Sequence, residues 1–345
     1  MQNDIKSFTL PEISKLAADF NLPAFRAKQI YMWLAGGACS FDEMTNLSKE
    51  TRQTLSEHCL IANAQVITRL DSAHSDLSKF LFRLHDGETV ESVLMSYDYG
   101  YSLCLSTQVG CKMGCTFCAT GKSGFVRNLL PSEMLSQFHA AQKNRGVKIG
   151  RLVLMGMGEP LDNIDNVLRF LRLVSDPVGV NLGMRRISLS TCGLADQIDR
   201  LAEERLQLTL SVSLHAPTDE LRSKLMPVNR RFGLDALLAS CRNYTKKTGR
   251  RISFEYMVID GVNDTEECAG LLAARLKGMN AHVNLIPVNK IDGADFTPGR
   301  NTAKFNARLN ALGQNATVRR TLGGDVNAAC GQLRGSRDDC HRPLQ

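Results

Sequence analysis

Cys111, Cys115 and Cys118 lie within "GCKMGCTFCATG" in a Cys-x3-Cys-x2-Cys spacing. Clustered thiols in one short loop bind soft metals. A structural zinc site needs four ligands, and no second CxxC or nearby histidine supplies the fourth, so a distant Cys or His would have to. A 4Fe–4S cluster held by three cysteines leaves one iron open, and a small molecule with an amine and a carboxylate can chelate it. "GMGEP" follows downstream, where Gly156 and Gly158 would let backbone approach a ligand and Glu159 offers an acceptor for an amino group. A plain strand-to-helix turn is the competing reading of that stretch. Ser190 in "LSTCG", Ser213, Leu214 and His215 in "SLHA", and Asn289 in "PVN" add groups suited to a carboxylate, ribose and adenine. Taken singly, each equally suits a satisfied turn or core position.

These residues need a frame that brings them to one face. From "YSLCLSTQ" onward, short apolar runs alternate with amphipathic stretches: "GRLVLMGMG", "RRISLSTCG", "LQLTLSVSLHA", "RISFEYMVIDG" and "AHVNLIPVN". Six β-then-α units imply an α/β fold with a parallel sheet, either doubly wound or a partial (β/α)6 barrel. In both architectures ligand groups gather at the C-terminal ends of the strands, which is where every candidate above falls. "ATVRRTLGGDVNAACGQL" predicts one further strand and a Gly-rich segment carrying Cys330. Residues 1–75 read as a separate helical accessory module with three amphipathic segments, and 76–96 as a half-buried hairpin. The core spans 97–335, and 336–345 is a polar tail containing Cys340 and His341.

The 345 residues include 43% hydrophobic and 22% charged, the balance of an ordinary globular chain. No apolar run approaches the roughly 20 residues that span a bilayer, and the N-terminus lacks a signal-peptide pattern. The expected compartment is the cytosol. Reducing conditions there argue against structural disulfides for the eleven cysteines, and favour metal-binding or catalytic roles for the clustered ones. A net charge of +7 suits a phosphate-bearing partner but is weak evidence alone.

The cysteine spacing, with Phe117 before the last thiol, resembles the signature of the radical S-adenosylmethionine enzymes. "VESVLMSYDYGYSLCLSTQVGCKMGCTFCATG", "MGMGEPLDN", "LHAPTDELRSKLMPVNRRF" and "DVNAACGQLR" together resemble the RlmN and Cfr family of adenosine methyltransferases. The resemblance runs from about residue 78 to 335 and extends to the helical N-terminus as an RNA-binding accessory domain. It implies a partial (β/α)6 barrel and a 4Fe–4S cluster on Cys111, Cys115 and Cys118. It also implies S-adenosylmethionine consumed twice per turnover. Cys330 would take a methyl group from the first molecule. A 5′-deoxyadenosyl radical from the second would open that methyl group, whose carbon adds to the adenine ring. Cys104 would then release the RNA by forming a transient disulfide with Cys330, and Glu91 or Cys104 would accept the ring proton. The implied partners are 23S rRNA, tRNA and an electron donor such as flavodoxin, with no membrane and a monomeric chain. Carbon 2 of the adenine is the expected target. A Cfr-like reaction at carbon 8, or a non-catalytic metal-containing RNA-binding module, are the alternatives. "KSGFVRN", "MPVNRRF", "TKKTGRR" and "VRRTL" are candidate phosphate grips around the entry for a flipped base.

Overall fold

A computed structural model describes residues 3–289, 296–320 and 322–333; the polar tail, with Cys340 and His341, lies outside the described residues. The chain opens with a helical module: strand β1 (Asn3–Asp4), helices α1 (Leu10–Asp19), α2 (Ala24–Ala35) and α3 (Lys49–His58), and strand β2 (Cys59–Leu60), which pairs with β1. Thr9 and Glu12 form a capping box at the start of α1, satisfying backbone donors that a helix leaves open. Ile5, Ile13, Ile30, Tyr31, Leu34 and Leu55 form a core of the module's own.

The helical stretch expected to reach residue 75 ends at His58. Residues Gln65–Asp71 instead form strand β3, followed by β4 (Leu77–Arg83), β5 (Thr89–Tyr97) and β6 (Gly100–Cys104), all antiparallel neighbours. The β4–β5 hairpin was expected to be half-buried, yet nearly every residue of both strands is buried. Its second face is covered too, because Leu77 packs against Gly323 of the C-terminal segment and Lys79 bonds Asn327.

A short antiparallel pair, β7 (Gln108–Gly110) and β8 (Phe125–Asn128), brackets the cysteine loop, which ends in helix α4 (Ala119–Lys122). The βα units then follow in chain order. They are α5 (Pro131–Arg145), β9 (Ile149–Leu154), α6 (Ile164–Ser175), β10 (Ile187–Thr191), α7 (Ala195–Glu203) and β11 (Thr209–Ser213). After α8 (Asp219–Leu225) and α9 (Leu234–Thr248) come β12 (Ile252–Val258), α10 (Glu266–Leu276), β13 (Ala281–Pro287), α11 (Thr302–Ala311) and β14 (Ala316–Val318).

Strand order in the ten-stranded sheet is β14-β13-β12-β11-β10-β9-β6-β5-β4-β3. From β6 to β14 every pairing is parallel, and each new strand adds on the same side of the last. That order has no switch point, so the sheet is barrel-type and not doubly wound. β14 and β3 remain as edges, so the barrel is partial. The six expected strands are present, and β14 is the further strand predicted from "ATVRRTL". Parallel strands place the ends of β6, β9, β10, β11, β12 and β13 on one rim, and that rim carries the candidate site.

Candidate active site

The cysteine loop is held by contacts on all sides. The Cys111 N–H donates to Gly124 O at 2.7 Å, and the Thr116 N–H to Leu225 O at 3.0 Å at the end of α8. The Ala119 N–H donates to Gly331 O at 2.7 Å, and the Thr120 hydroxyl to Leu333 O. The loop is therefore anchored to the barrel on one side and to the C-terminal segment on the other.

Cys111, Cys115 and Cys118 line one cavity with Gly156, Gly158, Glu159, Ser190, Ser213 and His215. Burial pushes the Cys111 thiol up to about 12 and raises Cys115 further, with neighbouring cysteines adding to the Cys115 shift. Such thiols ionise only against bound positive charge, which a metal centre supplies. Among the described residues, no three His, Cys, Asp or Glu side chains converge tightly enough to hold a single ion. Three thiols spread around one cavity suit a polynuclear cluster, whose irons take one thiolate each, and the donor set fits a 4Fe–4S centre.

The two glycines of "GMGEP" allow a close approach within the protein as well. A Cβ at Gly158 (φ +101°) would come within 2.6 Å of Gln108, and one at Gly156 within 2.7 Å of Leu105 and Ser106. The absent side chains let this turn pack against the segment before the cysteine loop while both glycines line the cavity. Glu159 is buried. Its carboxylate accepts from the Leu161 N–H at 3.0 Å and the Cys192 N–H at 2.6 Å, while its own N–H donates to Gln108 Oε1 at 2.8 Å. Burial raises its proton affinity, and those two backbone donors oppose the shift.

His215 stands in the left-handed region (φ +57°) with its ring edge-on to Phe117 at 4.7 Å. The Met257 N–H donates to Nδ1 at 2.9 Å, leaving Nε2 to carry the hydrogen of the neutral ring. Burial, helped by the charge of Arg222, pushes this imidazole down to about 3, so it is neutral at physiological pH. Leu214 is fully buried in the core and offers only its backbone: its N–H donates to Glu255 O and its carbonyl accepts from Arg222 Nε at 3.1 Å. It is not among the residues lining the cavity. Asn289 lines a smaller neighbouring cavity, where its Nδ2 donates to Cys330 O at 3.1 Å.

Cys330 lines both cavities. The following Gly331 (φ +84°) lies so close to the cysteine loop that a Cβ there would sit 2.9 Å from Phe117 O. Cys104 ends β6, in register with Val93 on β5 and Val153 on β9. Burial pushes its thiol up to about 12; Cys330 adds to the shift and Arg319 opposes it. Both cysteines are free thiols. Glu91 lies on β5, paired with Lys79 at 2.8 Å.

Several groups here escaped the reading of the sequence. Arg319, directly after β14, lines both cavities, and Cys330 and Glu255 hold its guanidinium firmly protonated. Buried Glu255 lines the main cavity and accepts from Asn284 at 2.7 Å. Arg222 is fully buried, donating to Leu214 O, Ser213 O, Cys192 O and Asn229 Oδ1, so one guanidinium ties together the ends of β10 and β11. The motif "LHAPTDELRSKLMPVNRRF" contains Arg222 and Asn229, but nothing in its spacing announces a buried cation.

The sequence from 105 to 271 matches the radical SAM superfamily, and 3–61 matches the ribosomal RNA large subunit methyltransferase N-terminal domain. A protein of Desulforamulus reducens, described as a probable dual-specificity RNA methyltransferase RlmN, is 49% identical over 96% of this chain and 95% of its own. One of Alkaliphilus oremlandii with the same description is 47% identical over 96% and 97%. The chain belongs to the RlmN family. A solved radical SAM methyltransferase from Sphaerobacter thermophilus superposes with a TM-score of 0.92 at 43% identity, covering 96% of this chain and 99% of that one. Membership of the radical SAM superfamily implies a 4Fe–4S cluster and S-adenosylmethionine, which agrees with the thiol set described above.

The candidate phosphate grips of this RlmN-family chain divide by location. "TKKTGRR" joins the end of α9 to the start of β12, at the rim opposite the cysteine loop, so it cannot border that entry. Arg127 of "KSGFVRN" is committed to Asp86 and Glu133. Arg231 of "MPVNRRF" and Arg320 of "VRRTL" are at the catalytic rim, with Arg320 lining the Cys330 cavity. Among the described residues no helix is long and apolar enough to cross a membrane.

Proposed function

We propose that the protein methylates carbon 2 of an adenosine in 23S rRNA, and adenosine 37 of tRNA, through an S-methyl group carried on Cys330. The observation that carries this reading is that Cys104 and Cys330, far apart along the chain, lie near enough to Arg319 and to each other to feel one another's charge, with Cys330 and Arg319 lining the cysteine cavity. A module using cysteines only for metal would not need this second pair. Carbon 2 of adenine is not nucleophilic, so transfer of an electrophilic methyl group cannot reach it directly. When bound, the cluster and S-adenosylmethionine supply hydrogen-atom abstraction, the means of opening an unactivated methyl C–H bond.

This chain's residues do the rest. Cys111, Cys115 and Cys118 would hold the cluster, and Glu159, Ser190, Ser213 and His215, with the backbone of Gly158, would contact the cosubstrate, while Asn289 holds the Cys330 segment and Leu214 serves the core. Cys330 acts first as a nucleophile: its sulfur–carbon bond forms as the sulfonium–methyl bond breaks, and S-adenosylhomocysteine leaves. Arg319 stands beside it, lining the same two cavities. Once the methyl carbon has joined the adenine ring, Cys104 attacks the Cys330 sulfur. A disulfide forms as the sulfur–carbon bond breaks, and the freed methylene carbon takes up a proton in place of the one Cys104 gives up and so becomes the methyl group on the ring. The one electron left over from the radical addition would return to the cluster. Burial keeps Cys104 protonated beforehand, which favours Glu91 as acceptor of the ring proton.

The helical accessory module, which matches the N-terminal domain over residues 3–61, and the basic rim around Arg231 and Arg320 grip RNA backbone, and two molecules of S-adenosylmethionine are consumed per turnover. An RNA substrate also places the protein in the cytoplasm, where a donor such as flavodoxin supplies the electron. The test is an anaerobic reaction of the iron-reconstituted protein with deproteinised 23S rRNA and with tRNA, read by mass spectrometry of nucleosides. 2-Methyladenosine is expected from both. A methyl group on carbon 8 alone, or no methyladenosine together with no cleavage of S-adenosylmethionine, overturns the reading.

A further inference from the structure

Lys79 is a buried lysine that the reaction as described leaves without a role. It lies on β4 in register with Val93 of β5, and Val93 in turn is in register with Cys104 of β6. Directly opposed residues share a face of the sheet, so Lys79 and Cys104 look out from the same side. Glu91, two residues from Val93, shares that face. Lys79 Nζ meets Glu91 Oε1 at 2.8 Å, with both side chains about nine-tenths buried. The same ammonium donates to Asn327 O at 3.1 Å. Asn327 stands in the left-handed region (φ +50°), three residues before Cys330.

One cation therefore touches both the carboxylate and the segment that delivers the reactive cysteine. That segment has independent anchors. Asp325 accepts from Ser72 and from the Ala73 N–H, both at 2.9 Å, and Gly331 O accepts from the cysteine loop. It does not need Lys79 merely to stay on the sheet. A buried ion pair is also a poor device for stability alone, since apolar residues of similar volume often do as well.

We propose that Lys79 is a positioning residue for methyl transfer, setting the Glu91 carboxylate against the Cys330 segment by bonding both. The proposal rests on the methylation reading above and on Glu91 as acceptor of the ring proton. It separates two stages: loading of Cys330 with a methyl group precedes any use of Glu91, and release of the RNA follows it.

The experiment compares Lys79→Met, Lys79→Arg and Glu91→Gln with the parent protein, all iron-reconstituted. Three quantities are read: S-methylcysteine on the Cys330 peptide, covalent RNA–protein adduct on denaturing gels, and methyladenosine. Lys79→Met is expected to load Cys330 within about threefold of the parent, accumulate adduct, and lose roughly 10²-fold in methyladenosine, as Glu91→Gln does. Lys79→Arg should recover much of the loss, because the charge and a donor are kept. The double variant should be no worse than either single one, since both remove one device. If Lys79→Met fails to fold, Lys79→Gln, which keeps a donor for Asn327 O, is measured in its place with the same expectation. Parental methyladenosine from the uncharged variant overturns the proposal, and so does equal loss of loading and methyladenosine without rescue by Arg. Absence of both S-methylcysteine and methyladenosine in the parent would instead defeat the methylation reading itself, and the proposal with it.

Discussion

The cysteine loop and the Cys104–Cys330 pair are neighbours built in opposite ways. The loop draws its three thiols from eight consecutive residues, a local spacing that fits the cluster the superfamily implies. The pair draws one thiol from the end of β6 and the other from the segment after β14, and meets only once the sheet has curled. What joins them is backbone: Gly331, next to Cys330, accepts from Ala119, next to Cys118. The difference teaches that one group is assembled locally and the other only by the fold. On the proposed reaction the first sets the chemistry available and the second the reaction, so the two should fail separately.

The largest effect expected is from Cys115→Ala, which removes a cluster ligand. Iron content should fall with every activity, by ~10³-fold or more, because no alternative route to the radical exists. Cys330→Ala should match that loss in methyladenosine while iron content and cleavage of S-adenosylmethionine stay within a few fold. If both variants lose iron alike, the two regions are one unit and the contrast fails.

Arg222→Met strikes the frame shared by both regions. It strands the carbonyls of Cys192, Ser213 and Leu214 in the interior, and about 3–5 kcal/mol of stability should be lost, seen as a lowered denaturation midpoint. A loss under about 1 kcal/mol would show that water replaces the guanidinium.

The dependence of stability on pH gives a smaller effect. His215 and His139 are both pushed from 6.5 down to about 3, chiefly by burial. The folded chain thus binds fewer protons than the unfolded one between those values, so stability is complete above about pH 6.5 and declines as pH falls toward 3. His215→Asn, which can still accept from Met257, should flatten part of that slope in chemical denaturation, with His139 supplying the rest.

Gly331→Ala should give the smallest change. A Cβ 2.9 Å from Phe117 O, on a residue with φ +84°, costs about 1–3 kcal/mol locally. It presses on the backbone link from Ala119 to Gly331 that joins the two regions. Methyladenosine formation should slow several-fold while iron content is kept, and an unchanged rate would show that the link is not under tension.

Much of this frame was legible in the residues. Alternating apolar runs and amphipathic stretches announced six βα units, and the polar or Gly-rich strand ends marked one rim. Other features were not legible for identifiable reasons. The hairpin at 77–97 alternates like a half-exposed pair, but the C-terminal segment covers its outer face, a contact between distant parts of the chain. That the glycines of "GMGEP" also clear Leu105, Ser106 and Gln108 was not legible, because a sequence cannot say whose atoms lie next to a missing Cβ. The same limit hid Arg222, Arg319 and Lys79, three cations that composition would place at the surface.

By itself the sequence determined that three thiols come together, because Cys111, Cys115 and Cys118 are close along the chain and need no fold to be neighbours. It also determined the family, through several long motifs in order. Only the tertiary structure decided which basic residues face the catalytic rim, what Glu91 is paired with, and how Cys330 comes to lie beside Cys104. Those depend on pairings across the sheet and on a segment folding back over it, and strand register brings together residues whose separation along the chain carries no information about their distance.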